Sequence, residues 1–265
     1  MRVLIADVRE MFREQFDYRE LLWQMTKRDL LLRYKQTVMG FGWAVFMPLV
    51  NTAVFSVIFT HVAPIDTPVP YPVFAFCGLW VWNFFSSALR FSVGSLTSNI
   101  NLVAKVYFPR EIFPFSALLV CLIDFAVGGV VMAGMLIWYQ VPVGLQILWL
   151  PVVLAVHVIF TTALALLVSM GNLFYRDVKY LFEIVITVWM FATSVLYPAD
   201  SVGGTFGTAI RLNPMTPIVE GYRDVLLLNQ PPDAAFAITA VASTVLCFVA
   251  WAAFHRSEFQ FAENV

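Results

Sequence analysis

The sequence predicts an all-α integral membrane protein, with six transmembrane helices, an N-terminal amphipathic interface helix and short outer helices between spans five and six. Three observations predict it. Hydrophobic residues make up 60% of the 265-residue chain and charged residues 12%, about half the charged share of an ordinary soluble domain. The apolar residues fall into runs of the length that a bilayer's hydrocarbon core demands. Lys and Arg gather in alternate links, the charge asymmetry that orients a multi-pass chain.

Composition also excludes. Lys+Arg 16 against Asp+Glu 17 leaves a net charge of −1, so no global basic field is available to hold nucleic acid. The opening MRVLIADVREMFREQF carries acids from Asp7 onward and lacks an apolar core with a small-residue cleavage site. It reads as part of the mature chain and not as a secretory signal. Cys77, Cys121 and Cys247 stand far apart inside apolar runs, with no CxxC or His-rich spacing, and are expected to be packing residues.

Residues 1–39 form the interface region and 40–265 the membrane domain. The first region holds Arg2, Arg9, Arg13, Arg19, Lys27, Arg28, Arg33 and Lys35 among acids. From Tyr18 onward, Tyr18, Leu21, Leu22, Met25 and Leu32 share one helical side, on which Asp29 intrudes; such a helix lies along a membrane surface. Phe41 to Val62 is apolar, roughly 33 Å of helix, enough to cross about 30 Å of hydrocarbon. Pro48 removes one hydrogen bond inside it.

After the Lys/Arg-free loop APIDTPVP, a second span runs from Tyr71 to Leu89. The stretch NINLVAKVYFPREIFP, Asn99 to Pro114, is a short polar interruption before a third span, Ile112 to Trp138. A second Lys/Arg-free turn precedes the fourth span, Leu148 to Met170. The charged link NLFYRDVKY leads into a marginal fifth run, Leu181 to Leu196, and a long connection reaches the last span, Phe236 to Phe254. That connection is too apolar for a free loop and too charged for a span, so it is expected as short helices at the outer interface that dip inward. Placing the N-terminal region, both charged links and the tail inside puts 14 of the 16 Lys and Arg on that side, leaving only Arg211 and Arg223 outside. Both termini are therefore expected in the cytoplasm.

A catalytic reading finds little. There is no GxxxxGK[ST], HExxH or GxSxG motif, each of which carries a specific chemistry. His157 lies inside the fourth span and reads as a packed, hydrogen-bonded imidazole. Asp124 and Glu183 are the two carboxylates nearest hydrocarbon, and Asp124 there needs a partner or a proton. The aromatic positions are more informative. Trp43, Trp138 and Trp149 stand near span ends, where amphipathic rings belong. In the second span, Phe76, Trp80, Asn83, Phe84 and Ser87 share a helical face, while Trp82, Phe85 and Leu89 point away. The fifth run repeats the mixture in Glu183, Thr187, Met190, Ser194 and Tyr197. Two such faces could line a wide amphipathic passage for sugar rings, which pack on aromatics and need donors and acceptors for their hydroxyls; interhelical packing with polar contacts is the other reading.

Four stretches, LLWQMTKRDLLLRYKQTVMGFGWAVFMPL, NLVAKVYFPREIFP, FYRDVKY and LNPMTPIVEGYRDVLL, together resemble the ABC-2 polysaccharide-export permeases, most of all those that export O antigen. The resemblance implies a homodimer of six-span subunits in the bacterial inner membrane, joined to two copies of a nucleotide-binding subunit. ATP and magnesium would be held by that partner, with no cofactor in this chain and no enzymatic role for it. The substrate implied is a polysaccharide on undecaprenyl diphosphate, either O antigen or, in related members, capsule or teichoic acid, crossing between two permease copies.

The resemblance also places contacts with the ATPase subunit at Arg19, Lys27, Asn101, Lys105, Tyr107, Phe108, Arg110, Arg176 and Asp177. It places an outer gate at Pro214, Pro217, Glu220, Tyr222 and Arg223. Arg28, Arg33, Lys35 and Arg90 are candidates for the lipid diphosphate, which needs cationic donors, and equally serve as inner-face anchors. Two other classes remain: a membrane enzyme on polyprenyl-linked sugars using Asp124 or Glu183, and a proton-coupled carrier built on Asp124, against which the missing inverted repeat weighs.

Overall fold

One helix, Tyr71–Ser95, sits at the centre with neighbours on nearly every side, because its 25 residues carry large apolar or aromatic side chains all round and not in a single stripe. The computed structural model describes residues 13–35, 37–40, 42–105 and 108–261, apart from the side chains of residues 104, 105, 259 and 260. Arg2, Arg9, Tyr107 and the side chain of Lys105 thus lie outside the described residues.

In chain order the helices are α1 (Arg19–Tyr34), α2 (Gly42–Val57), α3 (Tyr71–Ser95), α4 (Ile100–Lys105) and α5 (Ile112–Trp138). They continue with α6 (Leu150–Phe174), α7 (Val178–Phe191), α8 (Gly204–Leu212), α9 (Met215–Leu226) and α10 (Ala234–Phe261). No strand occurs among the described residues. Among the described residues, five stretches are long and apolar enough to cross a membrane: Gly42–Val62, Tyr71–Val103, Ile112–Trp138, Leu145–Phe174 and Ala234–Glu258. Large apolar side chains stand exposed along them, among them Val54, Val130, Ile137, Ile238 and Val245, a surface that suits hydrocarbon and not water.

Prolines and turns set the boundaries. Pro151 enters α6 in its first turn and Pro114 stands two residues into α5, positions where the missing N–H is already an orphan. Pro48 lies inside α2, and Thr52 Oγ1 donates back to its carbonyl at 2.8 Å. The first expected span ends in a π-helical turn, Ile58–Val62.

The fifth expected span departs from the expectation. Helix α7 stops at Phe191 after 14 residues, about 21 Å at 1.5 Å per residue and short of a bilayer's roughly 30 Å. Residues 192–197 turn instead of continuing. Ser194 and Tyr197 therefore do not extend a helical stripe begun by Glu183 and Thr187.

The two ends of the bundle are distinct. At one, Leu96, Val103, Phe108, Ile112, Phe113, Leu173, Phe254 and Phe261 form a second apolar cluster, against which Tyr18, Leu21, Leu22 and Met25 of the N-terminal region pack. Leu32, expected on that same face, is exposed. Asn172 ties α6 to α3 here by donating to the Val93 carbonyl at 2.8 Å. The N-terminal region, the link before α5, the end of α6 and the end of α10 thus meet at one end, the grouping that their basic residues predict. Asp29, the acid on the apolar side of α1, accepts from Ser116 Oγ of α5 at 2.7 Å.

Candidate functional site

A cavity of about 440 Å³ opens between α1, α2, α3 and α5. Its polar floor is the carboxylate of Asp124, paired with Arg33 Nη1 at 2.7 Å and accepting from the Tyr34 hydroxyl. The acid deep in the third span thus has two partners from α1, 90 residues away in sequence for Tyr34. Burial first, and then the bond to Asp124, push the Tyr34 hydroxyl pKa well up, so it stays a donor. Arg33 also lies 4.4 Å over the Phe91 ring.

Asn83, Phe84 and Ser87 of α3 line the cavity opposite Trp43, Met47 and Asn51 of α2. Of the aromatic and polar face expected on α3, Asn83 and Ser87 are part-exposed while Phe76, Trp80 and Phe84 are buried. Trp80 stacks on Phe125 with centroids 4.1 Å apart and donates its indole N–H to the Phe125 carbonyl at 2.8 Å. Gly128 makes room, since a Cβ there would stand 2.6 Å from Trp80. His157 is fully buried, edge-on to Phe84, with Nδ1 3.4 Å from the Tyr222 hydroxyl. Trp82 and Phe85, on the other face of α3, are buried as well. The two faces therefore differ in having or lacking an outlet to the cavity, not in facing passage or lipid.

At the other end a broken backbone is held by side chains. A chain that turns inside a bundle frees its carbonyls, and each buried one needs a donor. Arg223, 1% exposed, donates to the Ser194 carbonyl at 2.5 Å, the Val195 carbonyl at 2.7 Å and Glu220 Oε1 at 3.0 Å. Its guanidinium lies 3.6 Å over the Phe74 ring. Asn213 donates to the Ala192 carbonyl at 2.9 Å and accepts from Trp189 Nε1 at 2.8 Å. Tyr71 donates to the Leu196 carbonyl at 2.9 Å.

Pro214 precedes α9 at its N-terminus, and Pro217, Glu220 and Arg223 border a second cavity of about 600 Å³ with Asp66, Asp200, Asp224 and Asp233. Burial, then Glu220 and Asp233 nearby, push the Asp224 carboxyl up to about 7. Tyr222 points away from that cavity into the aromatic core. Neither Asn213 nor Tyr71 was marked by residue type as a site residue. The signal for Asn213 was its place before Pro214 in LNPMTP.

The remaining candidates scatter. Arg28 pairs with Asp29 at 2.8 Å and Arg90 with Glu183 at 3.1 Å, while Lys35 is exposed beyond α1. Only Arg33 of these cations reaches the cavity at Asp124. Arg19, Lys27, Asn101, Arg176 and Asp177 are exposed, Phe108 is buried, and Arg110 is engaged by Val103 and Glu258. Thr187 is exposed and returns its hydroxyl to the Glu183 carbonyl at 2.8 Å; Met190 packs against the main core.

A family description, ABC-2 type transporter, matches residues 20–227. The chain belongs to the ABC-2 type transporter family. Among relatives of this transporter, the O-antigen export system permease protein RfbA of Myxococcus xanthus is 30% identical over 257 residues, covering 96% of this chain and 98% of the relative. A protein of the same name from Klebsiella pneumoniae is 28% identical over 245 residues, 92% of this chain and 94% of that one. The matched region of the ABC-2 transporter runs from α1 through α9. It thus contains the cavity at Asp124 and the side-chain anchors of the broken fifth run.

Proposed function

We propose that this chain is the membrane-spanning subunit of an ABC exporter for O-antigen polysaccharide carried on undecaprenyl diphosphate. The observation that carries the reading is its similarity, over 96% of its length, to a permease named for O-antigen export. The chain works as a homodimer in the bacterial inner membrane with both termini cytoplasmic. Two copies of a separate subunit hold ATP and magnesium. α7 and the turn after it make the sixth crossing, and α8 and α9 form the outer gate.

Three physical features support this reading. The sequence has no phosphate-binding loop of its own, so the driving energy comes from a partner. The basic residues collect at the end where the exposed Arg19, Lys27, Asn101 and Arg176 offer a docking surface. On α7, Glu183 and Thr187 are exposed among Ile184, Val185 and Val188. Hydrocarbon is a poor surrounding for an ion pair such as Arg90–Glu183, half exposed on both sides; a second copy or a hydrated passage suits it better. Arg33, which lines the cavity beside Asp124, is the strongest cation for the diphosphate.

The test is copurification and export in cells. Recovery of this chain with a nucleotide-binding subunit, and loss of surface polysaccharide when either is removed, is the expected result. Export that continues without any such subunit overturns the reading. Capsule or teichoic acid export is distinguished by which polymer accumulates inside the cell.

A further inference from the structure

One side-chain cluster has no part in the transport reading. Where the link before α5 meets the end of α10, His255 Nδ1 lies 3.1 Å from Glu111 Oε1, 3.8 Å from Glu258 Oε2 and 4.0 Å from Glu14 Oε2. The donor atoms of Glu111, His255 and Glu258 all lie within 4.8 Å of one another. Around a cation with bonds of about 2.1 Å, tetrahedral neighbours stand roughly 3.4 Å apart, so the side chains are already near coordinating separation.

The strongest pointer is Glu111. It occupies the N-cap position of α5, yet its side chain makes no capping hydrogen bond. It is 1% exposed, and Oε2 has no hydrogen-bond partner among the described residues. A buried carboxylate oxygen without a donor is costly. The first N–H groups of α5 are already taken by the Pro109 and Arg110 carbonyls, and Pro114 has none, so this side chain finds its partner in the imidazole at 3.1 Å. Three carboxylates therefore converge on one ring nitrogen. Glu258 Oε1 is occupied by the Arg110 backbone N–H at 2.8 Å, which leaves Oε2 for the cluster.

We propose that Glu111, His255 and Glu258, with Glu14 as a fourth ligand, form a binding site for a divalent transition-metal cation of the Zn²⁺ class. Once the ring nitrogen releases its proton on metal binding, imidazole with carboxylates suits such an ion, whose two charges offset those that the acids gather. The site joins three parts of the chain that are distant in sequence: the segment before α1, the link leading into α5 and the end of α10. Bound metal locks these together at the basic end of the bundle. The proposal does not depend on the identity of the transported substrate.

The test uses the full-length protein, free of any affinity tag, in detergent or lipid nanodiscs. Titration with Zn²⁺ is expected to raise the unfolding temperature saturably, and Co²⁺ to give visible absorption bands of a low-symmetry site. Glu111→Gln and Glu258→Gln should each lower Zn²⁺ affinity by at least tenfold. If either variant fails to assemble, Glu14→Gln, which alters the most distant ligand, should still weaken binding several-fold. No Zn²⁺-dependent shift and no Co²⁺ spectrum in the unaltered protein overturns the site, as does binding that is unchanged in all the variants that fold.

Discussion

Helix α3 and the segment from α7 to α9 solve the same problem in opposite ways. Over the 25 residues of α3 the backbone follows one uninterrupted helix, so its polar groups are satisfied within the helix. The fifth run stops at Phe191, and the carbonyls of Ala192, Ser194, Val195 and Leu196 are taken up by Asn213, Arg223 and Tyr71. The first solution is local and tolerates change along the helix. The second concentrates the burden on a few donors. The two segments meet at Gly78, where a Cβ would stand 2.1 Å from the Val195 carbonyl oxygen and 2.7 Å from Arg223 Nη2.

The sharpest way to break this contrast is Arg223→Met. It leaves two buried carbonyls without donors and Glu220 without its cation, a loss of about 3–5 kcal/mol by analogy with broken buried ion pairs. Unfolding temperature and the yield of assembled protein should both fall, with Arg223→Lys recovering only part because an ammonium cannot reproduce the forked geometry. Full stability in Arg223→Met would mean that the turn after α7 does not need its anchor.

Next in size is Gly78→Ala, where overpacking against fixed backbone is expected to cost about 1–3 kcal/mol. Gly94→Ala is its control within α3, since nothing lies within 4 Å of the added methyl; it should be neutral or stabilise by up to about 1 kcal/mol through helix propensity. Equal effects at the two glycines, read by thermal unfolding, would remove the claim of close approach. Tyr71→Phe deletes a single donor to the Leu196 carbonyl and should cost about 1 kcal/mol.

A separate effect concerns pH. With its pKa pushed up to about 7 from 3.8, Asp224 binds its proton more tightly when folded than when unfolded. Its contribution is thus fully favourable below about pH 4 and is lost as pH rises through about 7. Asp224→Asn should flatten that part of the stability profile. An unchanged slope would show that burial, with Glu220 and Asp233 nearby, does not hold its proton.

Legibility differed along the chain for physical reasons. The span Ile112–Trp138 was read to the residue, because an unbroken apolar run is bounded by Pro109, Arg110 and Glu111 on one side and a polar turn on the other. The fifth run, Leu181 to Leu196, starts three residues after the helix does and ends five residues past it, because apolar composition continues past Phe191 while the helix does not. Periodicity reports which residues share a side; it does not report that a guanidinium nearly thirty residues onward takes the carbonyls and ends the helix. The mixed face of α3 was visible as a face, but its division into a packed aromatic knot and a cavity wall depended on Phe125, His157 and Tyr222, which arrive from other helices.

The sequence by itself determined that the chain lives in a membrane, the order of its apolar runs and the gathering of its basic residues into links that share one end. These are properties of composition and short-range pattern, and each is set by neighbouring residues. Tertiary structure decided where the fifth helix breaks, that Asp124 is paired with Arg33 and Tyr34, and that Glu111 faces His255 across 144 residues of chain. A local pattern fixes what a face is made of, but the partner that meets it is chosen by packing among helices far apart in sequence, and buried polar groups take their roles from that partner.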